Sequence, residues 1–347
     1  MEIVVDDPYK AYRSGDKVRG KVIYSPILRR RLDNVVVSFQ GYTTLHSYHD
    51  YLSSTSHMLF NLHRRVYTAN SNSALPCGKY EWPFEFTFPS VSEETFEPGY
   101  IFEQNPAFNY GSGHPLPPAC TEEPPYPNGP AHAVNYQLRV YPTRSGKCAG
   151  PKGSPIDLLY QPLSPPGTPR CEMARYEQTL YPQQYSPKHR FFVRDMRSRP
   201  ASEVKICLDL PKVIATKESF PAKMTVTVPP QYPQVRVKNL KVYLNHHSLG
   251  RMRLDPQPPS HHVPHDSKYC MASADGLFPN NSPVDLMSKE PMLASFPSSF
   301  KDVALRWWYD ISVEGTIACM GAKYNIQFLN LELQVINPVE DEPEKVY

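Results

Sequence analysis

The residues with the most chemical potential are the histidines and cysteines. His46-Ser47-Tyr48-His49, and His261-His262-Val263-Pro264-His265 followed by Cys270, are ligand types that zinc accepts. The second cluster sits in a stretch rich in Pro, Ser, Asn and His. With no matching second pair at conventional spacing, it reads as a solvated loop, and neither a metal nor a cofactor is expected. Nucleophilic catalysis lacks its signature, because the chain holds no Gly-x-Ser-x-Gly elbow. Phosphate-cradling glycine loops are also missing. The carboxylate pairs Glu93-Glu94 and Glu122-Glu123 lie in loop-like segments and read as solvated charges. These observations point away from an enzyme.

Recognition motifs are better represented. Pro229-Pro230-Gln231-Tyr232 is a Pro-Pro-x-Tyr tetrapeptide. Presented as a polyproline helix, it fits the aromatic groove of a WW domain, with the tyrosine as anchor. Its place between two strand-like runs equally suits a plain interstrand turn. Basic runs occur at Arg29-Arg30-Arg31, at Arg64-Arg65 and between Arg190 and Arg199. Arginine forks take phosphate in bidentate fashion, so Arg29, Arg30 and Arg31 are candidates for contact with phosphate or anionic lipid. The plainer reading is that they are solvated turn and edge positions that discourage sheet aggregation. Ser-Pro pairs at Ser25, Ser154, Ser164, Ser186 and Ser282 are possible proline-directed phosphorylation sites.

The elements that must carry these residues are strands. The chain has 347 residues and 39 prolines, about 11 % against a usual share of about 5 %. Prolines spread over the whole length forbid long helices. A hydrophobic fraction of 40 % with 12 % aromatics is too apolar for a disordered chain. Alternation predicts strands at 17–24, 34–41, 59–67, 82–88 and 134–141, then at 204–210, 222–228, 235–244, 303–316 and 324–335. Trp82, Phe84, Phe86 and Phe88 share one face and belong to a core, with Pro83 at a strand entrance or sheet edge.

Each half opens and closes on strands of similar pattern, as two tandem β-sandwiches would. The expected organisation is a sandwich over 1–143, a Pro-rich linker over 144–200, a second sandwich over 201–337 with a long insert at 254–299, and an acidic tail at 338–347. A formal net charge of +3 is modest for a nucleic-acid binder, so no nucleic-acid partner is expected. The N-terminus has no basic region followed by an apolar one, and no signal peptide is expected. No apolar run reaches the length of a membrane span. Seven widely spaced cysteines without a Cys-x-x-Cys pair read as reduced thiols of a cytosolic protein.

Several pieces together resemble the arrestins. Tyr12-Arg13-Ser14-Gly15-Asp16-Lys17-Val18-Arg19-Gly20-Lys21-Val22 is similar to the opening of an arrestin N-terminal domain, and Val35-Val36-Val37-Ser38-Phe39-Gln40-Gly41 to its second strand. Leu75 through Phe86 resembles the glycine turn before a Pro-Phe-x-Phe strand. Leu116-Pro117-Pro118-Ala119 is similar to a Leu-Pro-Pro-Ser element, departing at Ala119, and Tyr136-Gln137-Leu138 to a Tyr-x-Leu strand. The likeness is greatest for the fungal-type branch of the α-arrestins. It covers 1–143 well and 201–337 loosely.

The resemblance implies an all-β arrestin fold of two immunoglobulin-like sandwiches and a non-enzymatic adaptor. Such a protein docks on cytoplasmic tails or loops of transporters or receptors and links them to ubiquitylation, endocytosis and protein trafficking. In that setting Pro229, Pro230 and Tyr232 would recruit a WW-domain ligase of the HECT kind. The protein would be cytoplasmic, with recruitment to the plasma membrane or endosomes and contact with an anionic membrane surface. A retromer-like sorting scaffold is the alternative within the fold, and a β-sandwich glycan-binding module is the alternative from another class.

Overall fold

The computed structural model describes residues 1–29, 31–47, 53–69, 74–93, 113–121, 131–144, 147–148, 150–181, 203–252, 261–286, 296–302, 304–319 and 322–339. Every regular element among them is a strand. In chain order these are β1 (Glu2–Val5), β2 (Ala11–Tyr12), β3 (Lys17–Tyr24), β4 (Asn34–Ser47), β5 (Ser53–Thr68), β6 (Tyr80–Thr87), β7 (Cys120–Thr121), β8 (Ala131–Arg144), β9 (Lys147–Cys148), β10 (Ile156–Asp157) and β11 (Leu159–Tyr160). There follow β12 (Cys171–Leu180), β13 (Val204–Ala215), β14 (Lys223–Thr227), β15 (Gln234–Met252), β16 (His261–Pro279), β17 (Pro283–Asp285), β18 (Phe300–Lys301), β19 (Leu305–Cys319) and β20 (Ala322–Ile336). The protein is all-β and its sheets are sandwich-like, as the strand patterns predict.

The chain divides into two compact units. The first takes in Met1–Leu163 with two later stretches, Ser248–His265 and Phe300–Arg306. In it a three-stranded sheet runs β1-β3-β6, and a larger one runs β10-β8-β4-β5 with β7 and β9 also on β8. The turn into β3 forms as its residues require. Gly15 takes φ +81°, a conformation glycine adopts without steric cost. The Asp16 carboxylate accepts from the Arg13 amide at 2.9 Å, fixing the strand's start.

The core of this unit is aromatic. Phe39, Phe60, Phe84, Phe86, Phe88, Tyr136 and Tyr160 are all buried, with Phe88 stacked on Tyr160 at 4.4 Å and edge-on to Phe39 at 5.0 Å. Each such ring contributes about 1.5–3 kcal/mol by burial. Phe84, Phe86 and Phe88 lie inside as their alternation demands. Trp82 is half-buried, packed between Tyr67, Tyr80 and Tyr24. Pro83 lies in β6, at the margin of its three-stranded sheet. Gly20 leaves the space that Phe84 fills: a Cβ there would stand 2.3 Å from the Val4 carbonyl oxygen and 2.8 Å from Phe84 Cζ.

The second unit comprises Ser164–His247, Asp266–Ser299 and Trp307–Tyr347. Its strand order is β16-β15-β19-β20-β13-β14-β17, with β12 on β13. Strand β20 pairs antiparallel with β19 and then, over Gln334–Ile336, parallel with β13. The core mixes aliphatic side chains with a few aromatic ones: Val204, Ile206, Leu208, Val226, Leu240, Val242, Leu244, Ile311, Val313 and Ile326 are buried, and so are Trp307, Tyr309 and Tyr324.

Strands also occupy the two stretches expected as linker and insert. The span 144–200 carries β9 to β12, and β12 pairs with β13 along its whole length. The expected insert at 254–299 contains β16 and β17. Strand β12 is largely exposed and takes its hydrogen bonds from a neighbour's backbone, so it has little need of an apolar face and shows little alternation. The acidic residues 340–347 lie outside the described residues.

Candidate functional site

The Pro-Pro-x-Tyr motif forms the turn between β14 and β15. Tyr232 donates its amide to the Pro229 carbonyl at 3.0 Å, with Pro230 and Gln231 as the exposed central residues and Pro229 and Tyr232 half-buried. Proline at the second position pre-sets this turn. Asn280 braces it, because its Oδ1 accepts from the Val228 amide at 3.0 Å and its Nδ2 donates to the Val228 carbonyl at 3.1 Å. The Asn280 amide also donates to the Pro233 carbonyl at 2.8 Å. A closed turn differs from the extended polyproline helix that a WW groove takes.

Arg29 and Arg31 lie in the connection from β3 to β4, in the first unit. Arg29 Nε donates to the Ala74 carbonyl at 3.4 Å, and Arg31 Nε stands 3.6 Å from Asp33 Oδ1. Both arginines are exposed, whereas Pro26 and Leu32 on either side are buried. Between these anchors Ile27 is 90 % and Leu28 68 % exposed. Cys77 Sγ donates to the Ile27 carbonyl at 3.4 Å, so the connection rests on residues 74–77. Arg30 and the Arg190–Arg199 run lie outside the described residues, and so do the side chains of His46, His49, His261, His262 and His265. Arg64 Nη1 donates to the Glu85 carbonyl at 2.8 Å.

The basic face of β3 is matched internally. Lys21 and Lys79 donate to Glu81 and hold its carboxyl down to about 2. Arg19 and Lys17 hydrogen-bond toward β6 and hold Glu85 low in the same way.

Sheet margins supply main-chain groups. Among the described residues β1 pairs only with β3, and β5 only with β4, whereas β8 is lined on its second side by β7, β9 and β10. A cleft of about 540 Å³ opens beside β7 and β10, lined by Tyr9, Cys120, Asn135, Tyr136, Asp157 and Leu159 among others. Burial pushes the pKa of its Tyr136 phenol well above the usual tyrosine value. Its hydroxyl donates to the Pro117 carbonyl at 2.6 Å.

Two polar clusters carry no spacing signal in the sequence, because their members come from distant strands. In the second unit His247 lies between Asp310 Oδ2, 2.7 Å from its Nε2, and Asp266 Oδ1, 2.6 Å from its Nδ1. Its ring stacks on Trp308 at 5.2 Å. The hydrogen bond to Asp310, then that to Asp266, raises its pKa against the opposing effect of burial. Each ring nitrogen thus faces a carboxylate oxygen, to which it donates when it carries a proton. In the first unit the buried Asp302 accepts from Thr43 Oγ1 at 3.0 Å and lies 3.2 Å from His114 Nε2. Nearby, His132 Nδ1 and Ser248 Oγ are 2.8 Å apart, with Gly250 against the His132 ring.

These groups form a structural framework. Burial raises the thiols of Cys171, Cys207 and Cys319, which disfavours nucleophilic thiolates. Among the described residues no cluster of three or more His, Cys, Asp or Glu is arranged to hold a metal. None of them forms a helix long and apolar enough to cross a membrane.

In comparison with known families, residues 1–152 match the family model of the arrestin (or S-antigen) N-terminal domain. No curated protein sequence matches the chain.

Proposed function

This chain being arrestin-like, we propose that it is a non-enzymatic adaptor that docks on cytoplasmic tails or loops of membrane cargo and links them to ubiquitylation and endocytic sorting. The observation that carries this reading is the match of the N-terminal domain, on a unit whose β1 and β5 each keep one side without a described strand partner. An extended peptide adds to such an edge through main-chain hydrogen bonds, and side-chain pockets set its specificity. That mode of binding needs no catalytic group. The cytoplasmic location, with recruitment to plasma membrane or endosomes, and the likeness to fungal-type α-arrestins belong to the same proposal.

Ligase recruitment through Pro229, Pro230 and Tyr232 requires the turn to open. Asn280→Ala removes both side-chain bonds to Val228 and is expected to raise WW-domain binding several-fold over wild type. Tyr232→Ala is expected to abolish it. Affinity purification from cells, comparing wild type with Tyr232→Ala, tests the whole reading. Transporters or receptors recovered with both forms, and a WW–HECT ligase with wild type alone, are the expected result. Recovery of retromer-like subunits instead moves the protein to a sorting scaffold, and recovery of no membrane cargo overturns the adaptor.

A further inference from the structure

We infer that the β3–β4 connection is a membrane-docking loop, in which Ile27 and Leu28 enter the interface of an anionic bilayer while Arg29 and Arg31 engage its headgroups. This deepens the adaptor reading, because it names the surface on which the protein would meet its cargo. Scattered exposed aliphatic residues are ordinary on protein surfaces. Here two adjacent ones, 90 % and 68 % exposed, are followed at once by an arginine run.

The loop is held so that these side chains stay outside. Pro26 and Leu32 are buried at its two ends. The Ile27 carbonyl is held by Cys77 and the Arg29 guanidinium by the Ala74 carbonyl, which leaves the Ile27 and Leu28 side chains in water. By sequence, residues 25–33 carry three arginines against one aspartate. An apolar tip beside excess positive charge fits a surface that is apolar beneath an anionic layer. Burial of aliphatic groups and attraction to anionic lipid then add. A phosphopeptide would use the arginines but gives no role to Ile27 and Leu28, so the bilayer is the better occupant.

The test is flotation of the purified full chain with phosphatidylcholine vesicles, with and without phosphatidylserine. Wild type is expected to float with the phosphatidylserine vesicles. Ile27→Ser with Leu28→Ser should weaken partitioning by about tenfold or more at both low and high salt, since apolar insertion is not screened. Arg29→Ala with Arg31→Ala should weaken it by roughly fivefold per arginine at low salt, with the difference fading at high salt. All four side chains are exposed, and unchanged thermal melts verify that the variants fold.

A second measurement is independent of these variants. Leu28→Trp should gain blue-shifted emission on adding phosphatidylserine vesicles, read against the signal of the native tryptophans. Undiminished flotation of the Ile27/Leu28 variant, or no flotation of wild type, overturns the inference. Phosphoserine-peptide binding that depends on the arginines and ignores the aliphatic pair would assign the loop to a phosphopeptide instead. The vesicle assay contains no cargo, so its outcome is separate from that of the adaptor reading.

Discussion

Two clusters built from the same residue types behave differently because their burial differs. Asp302 in the first unit is 1 % exposed and reaches Thr43 and His114. In the second unit the carboxylates about His247 belong to Asp310, 13 % exposed, and Asp266, 71 % exposed. The Asp302 side chain has lost water as an alternative partner, so its neighbours must remain in place. The His247 clamp keeps one side in water, so solvent screens it and protons reach it. A carboxylate–histidine contact can therefore be shut away from solvent or open to it, and burial decides how much its loss costs.

The strongest break of this contrast is Asp302→Ala. It removes the acceptor of Thr43 and the partner of His114, and should cost about 3–5 kcal/mol, seen as a large fall in thermal midpoint. A control in the same unit without charge, Phe88→Ala, should cost a similar ~3–5 kcal/mol through its cavity. If Asp302→Ala melts like wild type, the buried cluster is not a structural part.

His247→Gln should cost less, about 1–2 kcal/mol, with most of it from the Asp310 side because the Asp266 contact is screened. Its signature is in pH. The folded-state pKa of His247 is raised above its unfolded value of about 6.5. The stabilisation is therefore full below pH ~6.5 and is lost as pH rises through the higher folded value. Urea midpoints of wild type should fall across that window relative to His247→Gln, and parallel curves would show that the clamp does not titrate.

The smallest effect belongs to Glu81. Its carboxyl is held at about 2 by Lys21 and Lys79, yet it sits on an open sheet face. Glu81→Gln should leave the thermal midpoint at neutral pH unmoved within error. A large loss there would mean that surface pairing, and not burial, sets the difference between the clusters.

Much of the fold was legible. The alternation at 17–24 coincides with β3, and the aromatic run beginning at Trp82 places Phe84, Phe86 and Phe88 in the core. Strand β12 was hidden because an exposed strand satisfied by a neighbour's backbone leaves little period-two signal. Strand β16 was hidden by the Pro and His residues at its start. The turn alternative for Pro229 to Tyr232 was readable from its flanking strands, but the brace from Asn280, fifty residues away, was not. The same holds for His247, Asp266 and Asp310, which only the register of three separate strands assembles. The exposure of Ile27 and Leu28 is not legible in the sequence, because adjacency to arginines says nothing of exposure.

The hydrogen bond from Thr43 to Asp302 joins residues 259 apart in the chain. The first unit also takes in Ser248–His265 and Phe300–Arg306. During synthesis, therefore, the N-terminal strands can pair early, but this unit cannot be completed until the ribosome has released residues beyond position 300. At about 5–20 residues per second, that leaves an interval on the order of ten seconds or more in which the nascent first unit lacks its final segments.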